Sequence, residues 1–432
     1  MVLTPRRRRM LLWGVLAAGF LLVNFHRTAT AVLADSLAAT FDADATELSF
    51  LHASFFYIYA ALQLPAGLVV DRYGPRRVAS LGLGTMTVGV VAFALAGSFT
   101  GAFLTRAVVG LGGSVLYVAT LRFCAAWFSA DAYATMTGLT IAAAGIGGIM
   151  ATTPLALAIE ATGWRTSLLV AGAVGATVAV GIGAFVRDRP PAGLADRVSA
   201  AGDGGQARPA TFAEVVANTR HVLAEVETWL LGIVLFLVLG ANFTVLGLWG
   251  VPFVVDVYGV PVAAASTYVL VGNVGFVLGS PAFGALSDRL ERRTSLMVAS
   301  ALVFTLAYVA LVLVPPLPIV GLALFVALFA NGGVALAFTV AKERHRPDVG
   351  ATVTGVINSL GYFGAAMLPS VMGYVLDAYW TGDVINGARV YTQTGYQVAF
   401  AIAAGAGALA VVCSLALHYR ESRSSASASA AT

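Results

Sequence analysis

The sequence predicts an all-α membrane protein with twelve transmembrane helices in two pseudo-symmetric six-helix bundles. Three observations carry this. The 432 residues are 59% hydrophobic and only 11% charged, with mean hydropathy +0.86, whereas a soluble domain carries about 25% charged residues. The apolar residues fall in twelve continuous runs, near 11–34, 48–70, 78–97, 101–125, 133–159, 166–186, 229–254, 263–286, 295–314, 319–341, 351–375 and 397–418. Each approaches the ~20 residues that a bilayer core demands. One long polar segment, 187–228, divides the runs six and six. Continuous runs argue against a β-barrel, whose strands would alternate over about 10 residues.

Span 1 follows the basic run Arg6–Arg9. Its apolar stretch is longer than the core of a cleaved signal peptide, and its removal would break the six-plus-six pattern. Lys and Arg mark the cytoplasmic side of a membrane protein. With the N-terminus inside, Arg72, Arg76, Arg77, Arg122, Arg187, Arg289, Arg292, Arg293, Lys342, Arg344 and Arg420 fall in cytoplasmic segments, and only Arg165 and Arg389 lie outside. Both termini are then cytoplasmic, in a multi-pass protein of the cell membrane. Asp35, Asp42, Asp44, Glu47, Glu160, Asp256, Asp377 and Asp383 cluster at the outer ends.

The expected organisation is therefore a bundle over 1–186, a cytoplasmic linker over 187–228, a second bundle over 229–420 and a disordered tail over 421–432. Within the linker, 192–210 is Gly/Ala-rich and polar, as in a flexible connector. Thr211 with Glu214 forms a capping-box pattern that starts a surface helix. The tail SRSSASASAAT is low in complexity. Cys124 and Cys413 both lie in apolar runs, so no disulfide framework is implied. No nucleotide-binding loop occurs, and no cofactor, metal or nucleic acid is expected.

The two halves echo each other. GLVVDRYGPRRV begins at Gly67 and GALSDRLERRTS at Gly284, so that Gly67, Asp71 and Arg72 match Gly284, Asp288 and Arg289 at an offset of 217 residues. Asn24-Phe25 and Asn242-Phe243 match at 218. On these residues the chain resembles the major facilitator superfamily of transporters. That family carries two six-helix halves and a G-x-x-x-D-R/K-x-G-R-R/K signature after span 2. Here the signature reads Gly67, Asp71, Arg72, Gly74, Arg76 and Arg77, with Pro75 displacing the basic pair by one. The second copy keeps Gly284, Asp288 and Arg289, replaces Tyr-Gly by Leu290-Glu291, and retains Arg292 and Arg293. Arg106, Gly110 and Gly112 fit a further R-x-x-x-G-x-G pattern in span 4, and Gly163-Trp164-Arg165 also resembles the family. The resemblance implies that the 67–77 loop, with its second copy up to Arg293, is a latch that holds one face closed. Gly67 would let helices approach closely, and Asp71 could pair with arginines or with a helix N-terminus.

Arg27 and Arg106 lie within apolar runs. An arginine at the bilayer centre costs about 2.5–3.5 kcal/mol and by default marks a functional site. The bland alternatives are snorkelling to the interface and structural pairing. At 100° per residue, Asn24 and Arg27 share one face and His26 points elsewhere. Arg106, Gly110, Gly113 and Tyr117 form a narrow stripe whose small residues would leave room for a solute. The resemblance makes spans 1, 4, 7 and 10 the walls of a central cavity. That places Asn24, Arg27, Arg106, Tyr117, Asn242 and Asn331 as substrate-binding residues. Two arginines without a midplane carboxylate favour an anion held by bidentate guanidinium contacts.

The expectation is a secondary transporter that moves a small organic anion by alternating access, as a monomer in the lipid bilayer, with a proton or counter-ion as possible co-substrate. A drug or metabolite exporter working as a proton antiporter of the same fold is the alternative. Against it, Pro154 lies well past the span 5 glycines instead of within them. A non-transporting sensor is a further alternative. An enzyme is not expected, because His26, His52 and the outer acids assemble no nucleophile, base or metal set.

Overall fold

The computed structural model describes residues 5–190, 212–345, 349–385 and 387–430. The 192–210 connector and Thr211 lie outside the described residues. Within those residues, ten helices are long and apolar enough to cross a bilayer, and two bent helix pairs bring the number to twelve.

Prolines explain both bends. Span 2 is Ala45–Ala61 followed by Gln63–Tyr73, bent by 55°. Pro65 has no N–H to donate to Ala61, and its ring crowds that carbonyl. Span 5 is Ala130–Met150 followed by Thr153–Thr162, with its part from Thr135 bent by 41°, and Pro154 stands in the same relation to Met150. Spans 3 and 6 are the single helices Pro75–Ala94 and Trp164–Phe185.

Four other spans are interrupted. Span 1 is Pro5–Thr28 followed by Thr30–Phe41, and span 4 is Phe99–Gly113 followed by Leu116–Trp127. Span 7 runs Val226–Thr244, turns through a π-helical segment at Val245–Trp249, and continues as Gly250–Tyr258. Pro252 lies four residues past Leu248, inside that segment, and relieves the same clash. Span 10 is Leu317–Val334 followed by Ala337–Arg344. Spans 1, 4, 7 and 10 are those assigned to the cavity, and interrupted helices are where membrane carriers free backbone groups for solutes.

Spans 8, 9, 11 and 12 are Val262–Leu290, Arg293–Val312, Gly350–Ala378 and Gln393–Ala430. The last helix runs through 421–430, where disorder was expected; alanine, the strongest helix former, recurs through that tail. A helix covers Phe212–Ala224, in the segment where a surface helix is expected. A hairpin of β1 (Trp380–Ile385) and β2 (Ala388–Tyr391) departs from the all-helical expectation. Gly387, just before β2, has a φ of +83°, a conformation that suits glycine in a hairpin turn.

Contacts divide the chain into two compact units. One is Met1–Ala29 with Ser54–Glu214, and the other is Thr30–Ala53 with Val215–Thr432. Within each unit the duplication reappears as packing. Span 1 packs on 5 and span 3 on 4 and 6; span 7 packs on 11 and span 9 on 10 and 12. Water does not drive helices together inside a bilayer, so close backbone approach at small residues does. A Cβ on Gly147 in span 5 would fall 2.1 Å from the Leu21 carbonyl oxygen in span 1. A Cβ on Gly364 in span 11 would fall 1.9 Å from the Phe236 carbonyl oxygen in span 7. Gly147 and Gly364 are separated by the same 217 residues as the loop signatures.

Gly147→Ala is therefore expected to destabilise the purified protein, in line with the 1–3 kcal/mol typical of overpacking. Gly14→Ala, with nothing within 4 Å of the added carbon, is expected to be neutral or to gain up to about 1 kcal/mol from helix propensity. Thermal unfolding in detergent measures both.

Candidate substrate site and gating loops

In the first unit, Asn24, Arg27 and Arg106 are 2%, 5% and 3% exposed. Asn24 lies one turn after Phe20 and donates through Nδ2 to the Phe20 carbonyl at 2.9 Å. This turns its Oδ1 toward Arg27, one turn further on, whose Nη2 donates to it. The i, i+3 spacing that places both residues on one face thus becomes a direct contact. Asn24 aims the guanidinium.

Arg106 reaches span 1 differently. Its Nη2 lies 3.4 Å from the carbonyl oxygen of His26, and its guanidinium sits 5.8 Å from the centre of the Phe93 ring. His26 thus meets Arg106 through its backbone. Its imidazole packs edge-on against Phe25, 5.1 Å between centroids. Two guanidiniums are therefore buried near one turn of span 1. Tyr117 is half-buried, with its ring 5.0 Å from that of Phe20.

The glycine stripe of span 4 has a role other than the expected one. A Cβ on Gly110 would strike the Phe55 carbonyl oxygen at 2.3 Å, and one on Gly113 would touch Val23 at 3.2 Å. These glycines seat span 4 on its neighbours; the space goes to packing and not to solute. The stripe also breaks before Tyr117, because the helix is interrupted after Gly113.

In the second unit, Asn242 and Asn331 are 2% and 4% exposed, and the Asn242 amide nitrogen lies 3.5 Å from Asn331 Oδ1. The sequence reading missed a third member. Tyr308 in span 9 is fully buried and donates to Asn242 Oδ1 at 3.2 Å. A buried phenol needs a partner for its hydroxyl, and a lone tyrosine within an apolar span is the signal that could have exposed it. Asn242, the repeat of Asn24, thus organises its own unit through a phenol and an amide instead of a guanidinium.

The 67–77 loop rests on its own unit. Arg122 grips Asp71 with two contacts, Nε to Oδ1 at 2.5 Å and Nη2 to Oδ2 at 2.6 Å. Asp188, also missed, accepts the Arg76 backbone N–H at 2.8 Å and so caps the start of span 3. Arg76 Nε donates to the Gly183 carbonyl at 2.8 Å. Gly74 is required twice: its φ is +82°, and a Cβ there would lie 2.8 Å from the Asp188 carboxylate. Gly67 does not serve close helix approach as expected, since an added carbon there meets nothing within 4 Å, and Gly284 is the same. Arg72 lies over the Tyr73 ring, and Arg77 is exposed. In the second copy, Asp288 and Arg289 are exposed and Arg293 pairs with Glu343. Glu291 takes the place of Gly74 with φ +52°.

The comparisons agree with this architecture. The probable sulfoacetate transporter of Cupriavidus necator is 24% identical over 297 residues, 67% of each chain. The membrane sensor protein UhpC of Escherichia coli K12 is 24% identical over 395 residues, 87% of this chain and 88% of that one. Among solved structures, a bacterial homologue of the human lysosomal transporter Spinster, inward-facing and occupied, superposes with a TM-score of 0.76 at 18% identity. That match covers 96% of this chain and 97% of the other. The sequence profile of the Major Facilitator Superfamily matches residues 15–369 and 273–432, and the chain is therefore a member of that superfamily, a multi-pass membrane transporter and not an enzyme.

Proposed function

We propose that the chain carries a small organic anion across the cell membrane by alternating access, with both termini in the cytoplasm. The observation that carries this reading is the pair of buried guanidiniums, Arg27 and Arg106, placed around one turn of span 1. Guanidiniums bind carboxylate, sulfonate or phosphate oxygens through charge-assisted bonds. The Cupriavidus relative, named for a small sulfonated carboxylate, supports the same ligand class. Asn242, Asn331 and Tyr308 supply neutral amides and a phenol, suited to a polar, uncharged end of the solute. The arginines gathered in the loops at one end of the spans support the orientation. The loop signatures, Gly67 to Arg77 and Gly284 to Arg293, then serve as cytoplasmic gating elements, and the protein works as a monomer in the bilayer with a coupled proton or counter-ion. A sensor is the second reading, favoured by the similarity to UhpC over most of the chain. It requires binding without flux.

Counterflow in proteoliposomes, with sulfoacetate as first probe and small carboxylates, phosphate esters and cationic drugs beside it, decides between these readings. Saturable exchange of an anion is expected; binding without exchange would favour the sensor, and exchange of cations alone would sink the anion reading. Arg27→Ala and Arg106→Ala are each expected to weaken anion binding about 10- to 100-fold, the scale of hydrogen bonds to charged groups. Unchanged affinity in Arg27→Ala would make that arginine structural. Tyr308→Phe removes one hydroxyl and frees the Asn242 amide to rotate, which is expected to raise KM about two- to tenfold, the scale of one neutral hydrogen bond.

A further inference from the structure

Residues Thr30–Ala53 belong by chain order to the first repeat but pack with the second unit. The helix Thr30–Phe41 packs on the outer part of span 7 and on β2, and one carboxylate fastens the start of span 2. Asp377, at the end of span 11, accepts the Ala45 N–H at 2.9 Å through Oδ1. Its Oδ2 accepts the Thr46 N–H at 2.8 Å and the Thr46 hydroxyl at 2.5 Å. Ala45 and Thr46 are the first residues of span 2. Their N–H groups have no partner inside the helix and carry the positive end of its dipole. Asp44 and Glu47 complete the cap reciprocally, with the Asp44 N–H on Glu47 at 3.1 Å and the Glu47 N–H on Asp44 at 2.8 Å.

Two further features fit the contact. Arg389, on β2, lies 3.9 Å from both Asp44 and Asp377 and bridges the two carboxylates. Gly373, one turn before Asp377, has no room for a side chain: a Cβ would fall 2.3 Å from Ser49 Oγ and 2.5 Å from the Ala45 carbonyl oxygen. The bonding groups are of a reversible kind. The side chains of Asp44, Asp377 and Arg389 are 20–33% exposed, so water can take over each bond as it breaks. At its other end, span 2 leads to Asp71, which Arg122 holds inside the first unit.

We propose that Asp377 is a gating residue of the transport cycle: its carboxylate clasps the N-terminus of span 2, keeps that end of the spans shut, and lets go when the end opens. The clasp goes beyond the anion reading and does not depend on which solute is carried.

The test uses the full chain in nanodiscs with Cys124 and Cys413 replaced by Ser and a reporter thiol introduced by Ala34→Cys, a position 2% exposed in the clasped structure. Maleimide labelling is expected to be slow in this parent. Asp377→Ala is expected to speed it about fivefold, the factor that loss of an average helix cap makes in an equilibrium, while Asp383→Asn on the neighbouring hairpin leaves it unchanged. Spin labels at Thr40 and Thr381, both exposed, are expected to gain a longer-distance population in Asp377→Ala. Equal labelling rates and equal distances in parent and variant would overturn the proposal. Should Asp377→Ala fail to elute as folded protein, Asp377→Asn and Thr46→Val remove parts of the clasp, and each is expected to speed labelling about twofold; no increase in either overturns it equally. No solute enters the experiment, so its failure and that of the anion reading are separable.

Discussion

The position of Asn24 and Arg27 in the first unit is inherited from a contact between two backbones. Gly147 of span 5 presses on the Leu21 carbonyl of span 1, with the Phe25 nitrogen also within 3.1 Å of where its Cβ would be. In a bilayer, lipid tails are as apolar as the side chains, so this van der Waals fit takes the role that hydrophobic burial has in water. Asn24 and Arg27 lie within two turns of Leu21 on the same helix. Their placement follows from how closely span 5 can seat span 1. The second unit repeats the device with Gly364 against Phe236, and Asn242 follows within two turns.

Duplication thus preserved the scaffold and released the chemistry. The equivalent asparagines of spans 1 and 7 each hold a neighbour in place, but the neighbour is a guanidinium in one unit and a phenol with an amide in the other. The loops diverged in the same manner. Gly74 occupies a left-handed backbone position that suits glycine, and Glu291 occupies a left-handed position in the second copy, where a side chain costs about 1–2 kcal/mol. The repeat is geometric in the helix pairs and chemical in only part of the polar set.

Much of this was legible in the sequence because it rests on local spacing. Span number, the six-plus-six division, the repeated Asp-Arg loops and the shared face of Asn24 and Arg27 all follow from residues within a few turns of one another. The bends in spans 2 and 5 were also written there, in Pro65 and Pro154 and the carbonyls four residues before them. What escaped depends on partners far apart in the chain. Asp188 and Arg76 are separated by 112 residues, Tyr308 and Asn242 by 66, and Asp377 and Thr46 by 331. The glycines were misjudged for a related reason: a missing side chain does not disclose whether a neighbour's backbone or a solute fills the gap. Gly110 faces a carbonyl, and Gly67 faces open space.

The chain order and the packing order disagree over residues 30–53. These 24 residues are flanked on both sides by segments of the first unit but are packed within the second. A cut through the 187–228 linker therefore does not yield two self-sufficient halves. A C-terminal fragment would lack the segment that its span 11 caps and its glycine at 373 accommodates, and an N-terminal fragment would expose that segment without cover. Reassembly of such fragments would be a strand-exchange problem as much as a docking problem, with folding of each half waiting on a piece supplied by the other.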